Sequence, residues 1–281
     1  MFGFEIDVAA VVNTIVDFLV SNLGVFSRSV SDVLETFFGF TVDILLVPPA
    51  VALIIPVGLI LWKVANRWVA LGGVVSLAVT ALMGLWPQAI DTIVLVLLSA
   101  GLSLAIAIPV GVFMAISDKA ATVIRPILDL MQTMPAFVYL IPAVMFFGIG
   151  KMPAIFATLV FCMPPPIRLT NLGIRGVATD VKEAAISYGA TRRELLFDVQ
   201  IPLAVPTIMA GVNQCIMLSL SMAVIASMIG AAGLGGEVLR GISHLDVGTG
   251  FEAGITIVFL AIVLDRTASA ITKRSELKFQ Q

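Results

Sequence analysis

The sequence predicts an all-α integral membrane protein, a polytopic helix bundle with about seven transmembrane helices. Three observations predict it. Of the 281 residues, 59% are hydrophobic and only 12% charged, whereas an ordinary soluble domain carries about 25% charged residues. Seven stretches are long and apolar enough to cross a bilayer, whose core is about 30 Å thick and needs about 20 residues of helix. Lys and Arg gather in alternate connections between those stretches, the pattern left by membrane orientation. With a mean hydropathy of +1.10, the chain has too little polar surface to be solvated by water alone. A net charge of −2 argues against nucleic-acid binding, which needs a basic face.

Residues 1–42 form an amphipathic N-terminal segment. The start, MFGFEIDVAA, lacks the basic n-region of a signal peptide. Val8, Val11, Val12, Ile15 and Leu19 recur at helical spacing, with Asn13, Asp17 and Ser21 on the other face. A second helix is expected where Val30, Val33, Leu34, Phe37 and Phe38 oppose Asp32 and Glu35. Interfacial helices usually have basic polar faces. These are acidic, so both are expected on the outer side.

The transmembrane domain is expected over 43–271, with spans at roughly 43–62, 69–86, 89–117, 131–149, 152–168, 208–231 and 250–271, and a cytoplasmic tail at 272–281. Pro48, Pro49, Pro56, Pro109, Pro135 and Pro142 interrupt several of them, and Pro164, Pro165 and Pro166 close the fifth. Membrane helices tolerate such breaks when neighbours satisfy the freed backbone groups. Lys63 and Arg67 follow span one, Lys119 and Arg125 span three, Arg168, Arg175, Lys182, Arg192 and Arg193 span five, and Lys273, Arg274 and Lys278 span seven. The other connections hold Lys151 and Arg240, and the N-terminal segment Arg28. This alternation places the N-terminus outside and the C-terminus in the cytoplasm.

The loop after span five, 174–207, carries most of the charge. Asp180 and Glu183 have capping-box spacing, as do Thr191 and Glu194, and Gly189 lies between them. Two short helices joined at Gly189 are expected, the second stopped by Pro202 and Pro206 before span six. Ala184, Ala185, Ile186 and Tyr188 are small or apolar within this charged segment. From the residues alone, the loop is either a solvated connection or a helix that seats in a partner's groove.

Polar groups in two spans are candidates for a solute pathway: Gln132, Thr133 and Met134 with Phe137 and Tyr139 in span four, and Asn213, Gln214, Met217 and Ser221 in span six. Interhelical hydrogen bonding is the competing role for each. Cys162 and Cys215 lie in apolar stretches without CxxC spacing, and His244 stands alone, so no metal site is expected. The only P-loop candidate fails, because Met152 follows Gly150-Lys151 and Met145 occupies the first glycine position. No catalytic constellation is visible, so the chain is read as a transport subunit, not an enzyme. The near absence of charges inside the spans argues against a proton-driven secondary transporter working alone, which remains the alternative class.

Glu183-Ala184-Ala185, Gly189-Ala190 and Ile201-Pro202-Leu203-Ala204, with Pro206 and Gly211, resemble the EAA loop of bacterial ABC importer permeases. Residues 128–150, 162–173 and 213–236 resemble the glycine betaine and proline branch of that family. The resemblance implies a type I permease fold and a bacterial inner-membrane location. It also implies docking to a separate ATPase through Glu183, Ala184, Ala185, Tyr188, Gly189, Ala190, Arg192 and Arg193. A second permease copy, an extracytoplasmic binding protein, and ATP with magnesium held only by the ATPase follow on the same ground. Permeases for choline, methionine or a sulfonate are the alternatives within the family.

Overall fold

The computed structural model describes the backbone of residues 8–279 and the side chains of residues 29–270, together with those of Thr14 and Asn22. It is all-helical among the described residues: α1 (Val8–Leu46), α2 (Ala50–Val64), α3 (Arg67–Leu82), α4 (Trp86–Ile116), α5 (Asp118–Thr133), α6 (Ala136–Phe147), α7 (Lys151–Cys162), α8 (Pro164–Arg175), α9 (Thr179–Ser187), α10 (Arg192–Glu194), α11 (Ile201–Ala226), α12 (Leu234–Ser243) and α13 (Val247–Phe279).

Four helices are long and apolar enough to span: α4, the joined α7 and α8, the run from Arg192 to Ile229, and Val247–Ala270 within α13. Two bent pairs raise the number to six. The expected span 43–62 is broken where Pro48 and Pro49 separate α1 from α2, which turn through 95°. The expected span 131–149 is broken at Pro135, where α5 and α6 meet at 100°. Proline imposes an extended conformation on the residue before it, and Met134 has ψ 134°. α3, capped by Asn66 on the amides of Trp68 and Val69, has 16 residues and rises about 24 Å, short of a full hydrocarbon crossing.

The N-terminal segment is one helix of 39 residues, not two, and it runs on through residue 42. Nothing between Leu19 and Val30 breaks it, since Gly24 costs a helix only about 1 kcal/mol. The pattern from Val8 to Ser21 lies outside the described side chains. Further along, Leu34, Phe38 and Val42 pack inward while Val33, Phe37 and Phe40 face out. α13 likewise continues past residue 271.

α4 is the central strut. Val94, Leu95 and Val96 belong to the central core, where α4 packs against α1, α7 and α11, and its later turns meet α8. There the contact depends on glycine. A Cβ on Gly111 would lie 2.6 Å from Thr170 Cβ and 2.7 Å from the Ile167 carbonyl oxygen. On the other side of α8, a Cβ on Gly211 of α11 would lie 2.9 Å from Pro166 Cα, and one on Gly173 would meet Thr207 and Ala204. Small residues of this kind let membrane helices approach closely. Cys162 and Cys215 belong to this core: both are buried and unbridged, and Ser219 Oγ donates to Cys162 Sγ at 3.1 Å.

Gly230 (φ 87°) and Gly233 (φ 98°) form a turn after α11. Gly235 and Gly236 instead lie inside α12. The Leu234 amide donates to Thr92 Oγ1 at 2.9 Å, which ties the start of α12 to α4. Lys151, at the head of α7, pairs with Asp91 at 3.1 Å and lies over the Phe38 ring.

Candidate functional site

The charged loop projects from the bundle. α9 begins at Thr179 without a side-chain cap, so the capping box expected at Asp180 and Glu183 does not form. The helix starts two residues earlier than that spacing requires, and both carboxylates already lie within it. Its C-terminus follows the sequence closely. Gly189 takes φ +92°, its amide donates to the Ile186 carbonyl at 2.9 Å, and the Ala190 amide reaches Ala185 at 3.1 Å. The second capping box is complete: the Glu194 amide donates to Thr191 Oγ1 at 3.3 Å, and the Thr191 amide to Glu194 Oε2 at 2.7 Å.

No separate second helix follows. α10 passes through a π-helical segment, Leu195–Gln200, straight into α11. Neither Pro202 nor Pro206 stops it: the π-helical segment leads into Pro202 and Pro206 lies inside α11, since membrane helices tolerate proline where local π adjustments and neighbouring helices take up the freed backbone groups. Removing the cap should loosen this junction. Thr191→Ala is expected to speed amide exchange at Glu194 about fivefold, read by hydrogen–deuterium exchange over residues 188–196.

α9 buries no residue. Glu183, Ala184, Ile186, Gly189, Arg192 and Arg193 are exposed, Ala185 and Ala190 are half-buried, and Tyr188 is 92% exposed. Tyr188 is thus an aromatic ring left bare beside charged groups. The loop is anchored by Arg175 at the end of α8, which binds Asn171 Oδ1 at 3.0 Å, Asp118 Oδ1 at 2.6 Å and the Met114 carbonyl at 2.8 Å. One guanidinium thus holds α4, α5 and α8 together, and Val177 and Leu196 are buried on either side of α9.

The pathway candidates divide. Gln132 and Gln214, from α5 and α11, line one cavity of about 480 Å³. Thr133 and Phe137 are exposed at the elbow between α5 and α6, and Met217 and Ser221 continue the exposed face of α11 above Gln214. Met134 is half-buried and packs on the central core. Tyr139 and Asn213 do not join this face. Tyr139 is buried, donates to the Met131 carbonyl and meets Phe161 edge-on. Asn213 Nδ2 donates to Asp265 Oδ1 of α13 at 3.0 Å. Both fill the interhelical role that competed with solute contact.

The sequence reading missed four groups around the cavity: Arg125 and Asp129 on α5, and Arg168 and Asn171 on α8. Arg168 Nη2 donates to Asp129 Oδ1. A signal was available, since Arg125, Asp129 and Gln132 stand at i, i+4 and i+7 on one helical face.

Residues 107–277 match the model of the family described as "Binding-protein-dependent transport system inner membrane component". The chain is 50% identical over 233 residues to the glycine betaine/proline betaine transport system permease protein ProW of Escherichia coli (strain K12), covering 83% of this chain and 66% of that protein. It is 42% identical to the glycine betaine transport system permease protein OpuAB of Bacillus subtilis (strain 168), covering 95% of each. It thus spans just under two thirds of the first relative's length and nearly all of the second's. Among solved structures, the MetNI methionine ABC transporter in inward-facing conformations gives a TM-score of 0.61 at 18% identity, over 66% of this chain and 93% of that one. At that identity the likeness concerns the fold.

Proposed function

This chain belongs to the family of binding-protein-dependent transport system inner membrane components, and from that premise we propose that it is the permease of an ATP-driven importer for glycine betaine and proline betaine-type osmolytes. It is a multi-pass inner-membrane transport subunit. Two copies form the pathway, each docks one ATPase through α9, and an extracytoplasmic binding protein delivers the solute. ATP and magnesium are held by the ATPase alone. With the short helix α3 crossing in a locally thinned bilayer as the seventh span, the basic connections, including the loop with α9, face the cytoplasm and the N-terminus lies outside.

The observation that carries this reading is α9: a nine-residue helix with nothing buried, closed by a left-handed glycine and held at its root by Arg175. A ligand or partner shifts a conformational equilibrium only by its differential affinity for the two states. A bare helix anchored to three others gives ATPase closure such a contact.

Reconstitution tests this directly. Proteoliposomes holding the chain, its ATPase and the binding protein should accumulate radiolabelled glycine betaine when ATP is supplied. Uptake driven by an ion gradient through the chain alone, without ATPase, would overturn the assignment.

A further inference from the structure

The cavity between α5, α8 and α11 is walled by both signs of charge. Arg125, Asp129 and Gln132 come from one face of α5, Arg168 and Asn171 from α8, and Gln214 from α11. Its volume of about 480 Å³ falls within the range of small-molecule sites, roughly 300–1,000 Å³. Among the described residues, no aromatic ring lines it, so recognition of a quaternary ammonium by an aromatic cage does not operate there. What it offers is an ion pair and amides.

That pair is poised to exchange. The side chains of Arg168 and Asp129 are 40% and 64% exposed, and a pair so hydrated contributes little to stability. Arg168 Nε is buried and has no hydrogen-bond partner. A desolvated donor left unmet favours an acceptor that reaches it. The geometry points to a transit site for small zwitterions, in which the Asp129–Arg168 pair opens and is replaced by the solute's own carboxylate on Arg168 and its own cation on Asp129.

Pair exchange carries a selectivity rule. A zwitterion supplies both charges, so neither protein group is left without a partner. A lone cation would strand Arg168 and a lone anion would strand Asp129. The site therefore discriminates by charge number, using groups separate from any binding protein. This deepens the importer reading and rests on it.

Three probes of nearly one shape separate the cases: glycine betaine, choline as the cation, and 3,3-dimethylbutanoate as the anion. All carry methyl protons suited to saturation-transfer NMR on the full chain in lipid nanodiscs. The unmutated chain should bind glycine betaine about tenfold more tightly than either other probe, the scale of one charge-assisted contact. Asp129→Asn should turn the preference toward 3,3-dimethylbutanoate, and Arg168→Gln toward choline. Misfolding would lower all three signals together, so a reversal of order is diagnostic. Should Asp129→Asn not fold, Gln132→Glu should weaken 3,3-dimethylbutanoate while sparing choline. Equal binding of the three probes, no binding, or an order unmoved by the variants would overturn the transit site. ATP-driven uptake with a flat probe profile would sink this inference alone. Charge-selective binding without such uptake would sink the importer reading alone.

Discussion

Gly189→Pro is expected to lower ATP-driven uptake at least tenfold while leaving the chain in the membrane. Gly189 stands at φ +92°, a region closed to proline, whose ring holds φ near −65°. Its amide closes α9 onto the Ile186 carbonyl at 2.9 Å, and proline has no amide proton to give. The substitution removes both the turn and the bond, so the exposed helix loses its fixed direction relative to the Thr191 cap. Gly189→Ala keeps the amide and pays only the left-handed strain of about 1–2 kcal/mol, so it should fall between. Glu183→Lys changes charge on the exposed face without touching the backbone, and it reports on docking chemistry as distinct from geometry. The readout is stimulation of the ATPase by solute-loaded binding protein in proteoliposomes, with insertion checked by protease accessibility. Stimulation unchanged in both Gly189→Pro and Glu183→Lys would remove α9 from the coupling path.

What the sequence disclosed follows from which forces act locally. The cap at Thr191, the left-handed turn at Gly189 and the apolar lengths of α4, α11 and α13 depend on residues a few positions apart, and each was legible. Span continuity was less so. Hydropathy sums over a window and cannot register that Pro48-Pro49 and Pro135 turn the chain by 95° and 100°. Pro202 and Pro206 suggest a stop from sequence, yet the π-helical segment carries the helix into Pro202 and Pro206 lies within α11, an adjustment that depends on packing and not on the local residue type. The charged cavity was hidden for another reason. Arg125 and Arg168 were used as markers of orientation, and the pairing of Arg168 with Asp129 joins helices 39 positions apart. Tyr139 and Asn213 show the reverse case: polar type suggested the pathway, and packing turned both into interhelical bonds.

The second large effect is expected at Gly111, and it tests whether α8 must be seated that closely. A Cβ there would stand 2.6 Å from Thr170 Cβ and 2.7 Å from a backbone oxygen that cannot rotate away. Gly111→Ala should destabilise by about 1–3 kcal/mol, the range for overpacked cores, and Gly111→Leu should prevent accumulation of folded protein. Gly101, in the same helix, has nothing within 4 Å of a built Cβ, so Gly101→Ala should be tolerated and controls for helix propensity. Thermal melts in detergent, followed by fluorescence-detected size exclusion, would read the difference. The effect reaches further than stability. α8 carries Arg168 and Asn171 in its middle turns and Arg175, at the root of the α9 loop, as its last residue. Any variant that pushes α8 off α4 moves the cavity and the loop together. Gly111→Ala should therefore reduce uptake by more than its loss of folded protein accounts for, whereas equal melting temperatures and equal uptake per folded molecule in the Gly111 and Gly101 variants would show that α8 is not held by this contact.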